Sequence, residues 1–240
     1  MLKDGEKGAI LQRDKETYAI APHLPCGVVS SDQLRTIADV ADKYEVAALK
    51  VTGAQRIAMV GVKEDEIDQI WSELGTEKGA AIGLCIRSVK ACPGTTFCKK
   101  GMQDSLGMGL YLDEKYHGLE VPGKLKLAVS GCVHQCSENC IKDISLLGKK
   151  NGWDLMVGGN GGAKPRLAFT ILKNLNDEEA KYYVDRVIKF MKEYSKKNER
   201  LSKVIDRETI DLFMEFVLEF REVDDDKIVV DWKKSSEGVA

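Results

Sequence analysis

The sequence predicts a mixed α/β protein of the α+β class, and three observations carry that prediction. Extended and helical stretches follow one another in β-α-β-β-α order across the first 75 residues. Glycine and cysteine crowd the segment from about 76 to 172, and helical periodicity returns after residue 177. The opening order is that of a ferredoxin-like sandwich, a word here for topology and not for a cofactor. The expected division is a ferredoxin-like half-domain over 1–75, a second α/β domain over 76–200 and a helical C-terminal extension over 201–240.

Each element has a local reason. Residues 17–21 read as an extended stretch that ends at the turn of Pro22 and Pro25. Ser31 is the expected N-cap of a helix in which Leu34, Ile37, Ala38 and Ala41 recur at three-to-four spacing. Residues 47–52 and 56–62 are strand-like, with Gly53 between them. The helix expected over 64–74 starts acidic and places Ile67, Ile70, Trp71 and Leu74 on one face. KLKLAVS over 124–130 is a strand, and 143–147 and 153–157 are two more, joined by a turn over 148–152. Asp177, Glu178 and Glu179 open a helix running to 196, and a last helix over 207–220 precedes a charged tail.

Composition narrows the function. Hydrophobic residues at 43% and charged residues at 31% describe an ordinary globular chain, which excludes a disordered or fibrous one. A formal net charge of −2 gives no global attraction to nucleic acid or anionic membrane, so any anion site must be a local cluster of cations. The first sixteen residues are charged throughout, and no apolar run is long enough to span a bilayer. The expectation is a soluble, cytoplasmic protein. Thiols stay reduced in that compartment, so seven cysteines point to metal ligation or catalysis before disulfides.

Two cysteine pairs stand out: Cys92-Pro-Gly-Thr-Thr-Phe-Cys98 and Cys132-Val-His-Gln-Cys136. Four thiolates from two loops satisfy a [4Fe–4S] cubane, and the spacing is unlike the run of a simple bacterial ferredoxin. Pro93-Gly94 allows a sharp first loop, and Gly131 allows close backbone approach before the second. A structural zinc site is the alternative, fitted poorly by a five-residue loop. Isolated Cys26 and Cys85 read as buried, inert thiols, while Cys140 continues the rhythm after Cys136 without an assigned role.

The segments ACPGTTFC, SGCVHQC and DLMVGGNGG together resemble the sirohaem-containing sulfite and nitrite reductases, in particular their small single-repeat assimilatory-type members from anaerobic microbes. The resemblance covers about residues 8–171. It implies that 76–200 is a sirohaem and [4Fe–4S] domain, with Cys92, Cys98, Cys132 and Cys136 as cluster ligands and Cys136 shared with the sirohaem iron. The implied reaction is six-electron reduction of sulfite to sulfide, with nitrite to ammonia as an alternative. Sirohaem performs the chemistry, and the protein supplies position, charge and protons. Lys124 and Lys126 flank Leu125 and share a strand face, so the resemblance implies that they hold the anion and donate protons.

The resemblance also implies a substrate arginine near Thr52. Direct overlay puts Ala54 there, with Arg56 two residues on and on the same face of an extended chain. Arg87 and Lys90 both match a basic residue before the first cysteine loop, and Gly158, Gly159 and Asn160 match a segment lying against the cofactors. His134 is a candidate proton relay or loop-packing residue, and His23 and His117 carry no signal. One half of the larger enzymes' repeat holding both cysteines and cations implies a two-fold homodimer. No second set of ferredoxin cysteines and no flavin or nicotinamide fingerprint is present, so an external donor such as a ferredoxin is expected. The alternative is a non-catalytic sirohaem and iron–sulfur electron carrier or redox sensor, its haem blocked by Met102, Met108 or His134.

Overall fold

The computed structural model describes residues 1–219 and 223–229. Its first sheet has four antiparallel strands in the order β1-β2-β4-β3, with β1 Ile10–Leu11, β2 Tyr18–Ile20, β3 Ala48–Val51 and β4 Ile57–Val62. Helices α1 (Ser31–Lys43) and α2 (Ile67–Leu74) complete this unit. Ile37, Val40 and Ala41 of α1 and Ile67, Ile70, Trp71 and Leu74 of α2 bury against Tyr18, Ile20 and Met59. Leu34 and Ala38, expected inward, turn to solvent, and the buried stripe is Ile37, Val40 and Ala41. Ser30, one residue earlier than expected, caps α1 by accepting the Gln33 N–H, and Gln33 caps Ser30 in return. The acidic stretch Glu64–Glu66 forms a 3-10 turn ahead of α2.

The second sheet runs β5-β6-β7-β8-β9, with β5 Lys90–Ala91, β6 Leu127–Ser130, β7 Ile144–Lys149, β8 Gly152–Val157 and β9 Phe169–Leu175. Pairs β5–β6 and β6–β7 are parallel, and β7–β8 and β8–β9 are antiparallel. A parallel pair needs a crossover; that between β5 and β6 carries α3 (Gly94–Phe97) and α4 (Ser105–Tyr116). The expected strand over 124–130 is shorter than its hydrophobic pattern. Only Leu127–Ser130 is regular, and Leu125 makes one isolated bridge to Ile86.

Helix α5 (Asp177–Tyr194) packs across the sheet, burying Tyr183, Val184, Val187, Phe190 and Met191. Its cap is Asn176, which exchanges hydrogen bonds with Glu179 at 2.8 and 2.9 Å. The single helix expected over 207–220 is two, α6 (Leu201–Glu208) and α7 (Ile210–Leu218). They break at Thr209, whose φ of +79° cannot continue a helix and whose hydroxyl accepts the Leu212 N–H. Leu201, Val204, Phe213 and Val217 are buried in the same core as the second sheet. Phe220, the expected end of the last helix, and the tail from 230 lie outside the described residues.

Asn176→Ala removes one half of the α5 capping box and is expected to lower unfolding stability by about 1 kcal/mol, read as a shift in urea midpoint at unchanged slope.

Candidate functional site

The cysteine loops leave the same end of neighbouring parallel strands. Ala91 pairs with Val129, so Cys92 and the Gly131-Cys132 segment emerge side by side. The Cys92 N–H donates to Val129 O at 3.1 Å, and the Gly131 N–H donates to Cys92 Sγ at 3.2 Å. The Met102 and Gln103 N–H groups both donate to Gly131 O, folding the segment after Cys98 back onto the second loop. Glycine is required where the loops touch. A Cβ on Gly131 would stand 2.8 Å from Gly94 Cα and 2.7 Å from Gln103 O, and Gly94 itself holds φ +55°.

Exposure separates the thiols. Cys132 is buried, Cys92 and Cys98 are half-buried and Cys136 is exposed. Among the described residues no three His, Cys, Asp or Glu side chains, these cysteines included, converge on one point. Four thiols on two touching loops, one of them already accepting a backbone N–H, fit the donor set of a cubane. Cys26 and Cys85 are buried, and burial pushes the Cys26 thiol up to about 12, with the Asp113 carboxylate adding to it. Cys140 is half-buried; its N–H donates to Gln135 Oε1 and its carbonyl accepts the Ala168 N–H. Met108 packs into the core at 5% exposure.

The five cations expected at the site line one cavity. Arg56, Arg87, Lys90, Lys124 and Lys126 surround a space of about 290 Å³ together with Lys142, which sequence reasoning missed. That lining of eleven residues contains six cations and no acid. The chain at Arg56 is not extended as expected: Thr52 and Arg56 close a turn, with the Thr52 N–H on Arg56 O at 2.8 Å. Gln55 holds φ +57° in that turn, and Ala54 and Arg56 still both reach the cavity. Arg56 Nη1 is buried without a hydrogen-bond partner among the described residues, whereas Arg87 donates to Ala80 O and Gly83 O.

Two carboxylates outside the lining, one exposed and one buried, hold this charge in place. Glu138, two residues beyond Cys136, bridges Lys142 at 2.8 Å and Lys90 at 3.1 Å, and the Lys142 hydrogen bond keeps its carboxyl below the usual range. Asp143 is fully buried, accepts the Lys126 N–H at 2.8 Å and holds both sides of the Arg200 guanidinium at 2.8 and 2.7 Å. Burial raises the Asp143 carboxyl against the pull of Arg200. Burial likewise lowers Lys126, helped by the charges of Lys124, Arg200 and Lys142. Burial lowers Arg56 as well, with Arg87 adding to the effect.

The glycine-rich segment lies one layer back. A Cβ on Gly159 would meet Lys142 O at 2.5 Å, and Asn160 Oδ1 accepts from Arg200 at 3.0 Å, so both reach the cavity only through Lys142 and Arg200. Gly158 turns at φ +80° against the Phe169 ring. His134 places Nδ1 3.5 Å from Cys132 Sγ. The missed residues left little trace in sequence: Lys142 and Asp143 immediately precede a strand, and Arg200 comes from a distant helix start.

Comparison with known proteins agrees with this geometry. The profile described as "Nitrite and sulphite reductase 4Fe-4S domain" matches residues 82–223, and "Nitrite/Sulfite reductase ferredoxin-like half domain" matches 10–76. An assimilatory-type sulfite reductase of Nitratidesulfovibrio vulgaris is 42% identical over 217 residues, covering 90% of this chain and 100% of that protein. A nitrite reductase [NAD(P)H] of Bacillus subtilis is 41% identical over 83% of this chain but only 25% of its own length. Dissimilatory sulfite reductase I superposes with a TM-score of 0.77 at 13% identity, over 91% of this chain and 74% of that one. NirA of Mycobacterium tuberculosis gives 0.74 at 21% identity, over 91% and 43%.

Two predictions follow from the electrostatics. Binding of inorganic sulfate, followed by calorimetry, should weaken with rising pH earlier than an ordinary lysine would dictate, because Lys126 loses its proton below its usual range; Lys126→Arg should extend binding upward. Arg200→Leu strands the buried Asp143 carboxylate and should cost about 3–5 kcal/mol in a denaturant titration. That loss should shrink as pH falls, because protonating Asp143 removes the unpaired charge.

Proposed function

The chain belongs to the nitrite and sulphite reductase family, and from that premise we propose that it reduces sulfite to sulfide, with nitrite to ammonia as an alternative reaction. It is an oxidoreductase whose cofactors are a [4Fe–4S] cluster and sirohaem. The observation that carries the substrate reading is the cavity with six cations, no acid in its lining and a buried Arg56 Nη1 lacking a protein partner among the described residues. Such a site is built for a small oxyanion.

When bound, sirohaem supplies the redox chemistry at the substrate atom, and the cluster supplies electrons one at a time. We assign Cys92, Cys98, Cys132 and Cys136 to the cluster, with Cys136 as the sulfur shared with sirohaem; its exposure beside buried Cys132 supports that role. Exposed Phe97, Met102 and Val133 stand on the same loops and suit the flat apolar body of a macrocycle. Gly159 and Asn160 then back the cofactor-facing cations through Lys142 and Arg200, and Gly158 turns the chain into that segment.

The chain's own residues bind and protonate. Arg56 and Arg87 keep their charge and hold substrate oxygens, with Lys90 and Lys142 adding charge to the same cavity. Lys126, its ammonium already destabilised, gives up a proton more readily than an exposed lysine would, and Lys124 beside it replenishes positive charge as oxygen leaves. An external donor such as a ferredoxin supplies the electrons in this reading, and the cytoplasm is its compartment. Among the described residues no helix is long and apolar enough to cross a membrane. We include a two-fold homodimer, each site taking cysteines from one subunit and cations from the other, because a single repeat here carries both sets.

The test is anaerobic oxidation of reduced viologen on addition of sulfite and then nitrite. Wild type should turn over, Lys124→Ala should lose about 10²-fold in kcat/KM, and Cys136→Ser should lose turnover. A protein that carries both cofactors yet reduces neither anion would instead be a carrier or sensor.

A further inference from the structure

Three ionisable side chains cluster outside the cavity where the two sheets meet, His23 and Asp113 buried and His117 half-buried. His23 and His117 stack with ring centroids 3.5 Å apart and 12° between planes. His23 Nε2 lies 2.6 Å from Asp113 Oδ2, and Asp113 is 1% exposed. His23 follows β2 of the first sheet unit, whereas Asp113 and His117 belong to α4 and its C-terminal cap. Burying such groups is costly unless they are engaged; His23 engages Asp113 through Nε2 while its Nδ1 has no partner among the described residues, and Asp113 and His117 engage one stretch of backbone. His117 Nε2 accepts the Ala80 N–H at 2.9 Å, and Asp113 Oδ1 accepts the Val89 N–H at 2.8 Å.

That stretch carries a wall of the cation cavity. Ala80 O accepts Arg87 Nη1, and Ala81, Arg87, Ser88 and Lys90 all line the cavity. The Gly79 N–H donates to Ala21 O at 2.8 Å, and a Cβ on Gly79 would meet Ala21 O at 2.6 Å and Arg56 Cδ at 3.4 Å. The strap is thus pressed against Arg56 on one side and hung from His117 and Asp113 on the other. We propose, on the reductase reading above, that His23, His117 and Asp113 are positioning residues that hold the strap from Gly79 to Lys90 and so set the anion-binding geometry of Arg56, Arg87 and Lys90.

The device has a defined protonation state. Burial first, and the stacked His23 second, push His117 down to about 4. The other charged groups facing it are Asp113, Glu77 and Arg56, and Glu114 lines the outer cavity beside it. Neutral His117 offers Nε2 as an acceptor to Ala80; protonation turns that acceptor into a donor aimed at a donor. The folded pKa lies below the unfolded value of about 6.5, so native stability falls as pH drops from there to about 4, and the Ala80 bond is lost through about 4.

The test compares His117→Phe, which keeps the stack and loses the acceptor, with His117→Gln, which keeps a neutral acceptor. Holoprotein is assayed for sulfite KM and kcat with reduced viologen, and for amide hydrogen exchange over residues 79–90. His117→Phe should raise KM roughly five- to tenfold with kcat within about twofold, and should speed exchange at Ala80 by a similar factor. His117→Gln should match wild type at neutral pH and, unlike wild type, keep Ala80 protected as pH falls through about 4. Equal losses in both variants, or an unmoved KM and unmoved exchange in His117→Phe, would overturn the proposal. Should His117→Phe not fold, Asp113→Leu, which keeps the side-chain shape and loses the acceptor, must show the KM rise with faster exchange at Val89, or the proposal fails. A wild type that turns over neither anion would defeat the reductase reading alone; exchange and calorimetric sulfate binding in the same variants would still decide this one.

Discussion

Everything at the site depends on the parallel pairing of β5 with β6. Two strands running the same way must release their loops at the same end, so Cys92 and Cys132 become neighbours although forty residues of chain separate them. Parallel pairing also demands a crossover, and the chain uses it twice: its first turn carries Cys98, and its helix α4 carries Asp113, with His117 as its cap. Sites at the carboxyl ends of parallel strands are the general rule for open sheets. Here two glycines, Gly94 and Gly131, make the contact possible by having no side chain where the loops meet.

Concentrating six cations around 290 Å³ works against folding, and the structure offsets this with carboxylates outside the lining. Glu138 ties Lys90 to Lys142, and Asp143 ties Arg200 to the Lys126 backbone. The carboxylates stay out of the lining, so the cavity keeps its positive potential for a ligand. The cost appears in Lys126, whose proton is held less tightly than in water, and in Arg56, buried with one nitrogen unpartnered among the described residues. Charge frustration of this kind is tolerated where binding an anion relieves it.

The parts legible in sequence were those set by short-range pattern. Cysteine spacing, the Lys124-Leu125-Lys126 triplet and the basic residues Arg56, Arg87 and Lys90 could all be named, and the structure brings all five cations to one cavity. The ferredoxin-like half-domain was legible in the alternation of its periodicities. Details failed where a tertiary contact overrode the local signal. Residues 124–126 read as strand but are held by one bridge and by Asp143; Ala54 and Arg56 read as extended but sit in a turn; a continuous helical pattern hides the break at Thr209. Lys142, Glu138, Arg200 and the stacked histidines were not legible, because each acquires its role from a partner distant in the chain or from a left-handed turn such as that at Glu138.

Reduction at this site requires the cation cavity to face the redox centre. The direct measurement is one sulfite titration of the oxidised holoprotein, followed at once by calorimetric heat and by the sirohaem absorption bands. The account predicts a single saturation curve, with heat and band shift sharing one midpoint. Heat that saturates while the bands stay unmoved would place the anion site away from the haem and contradict it.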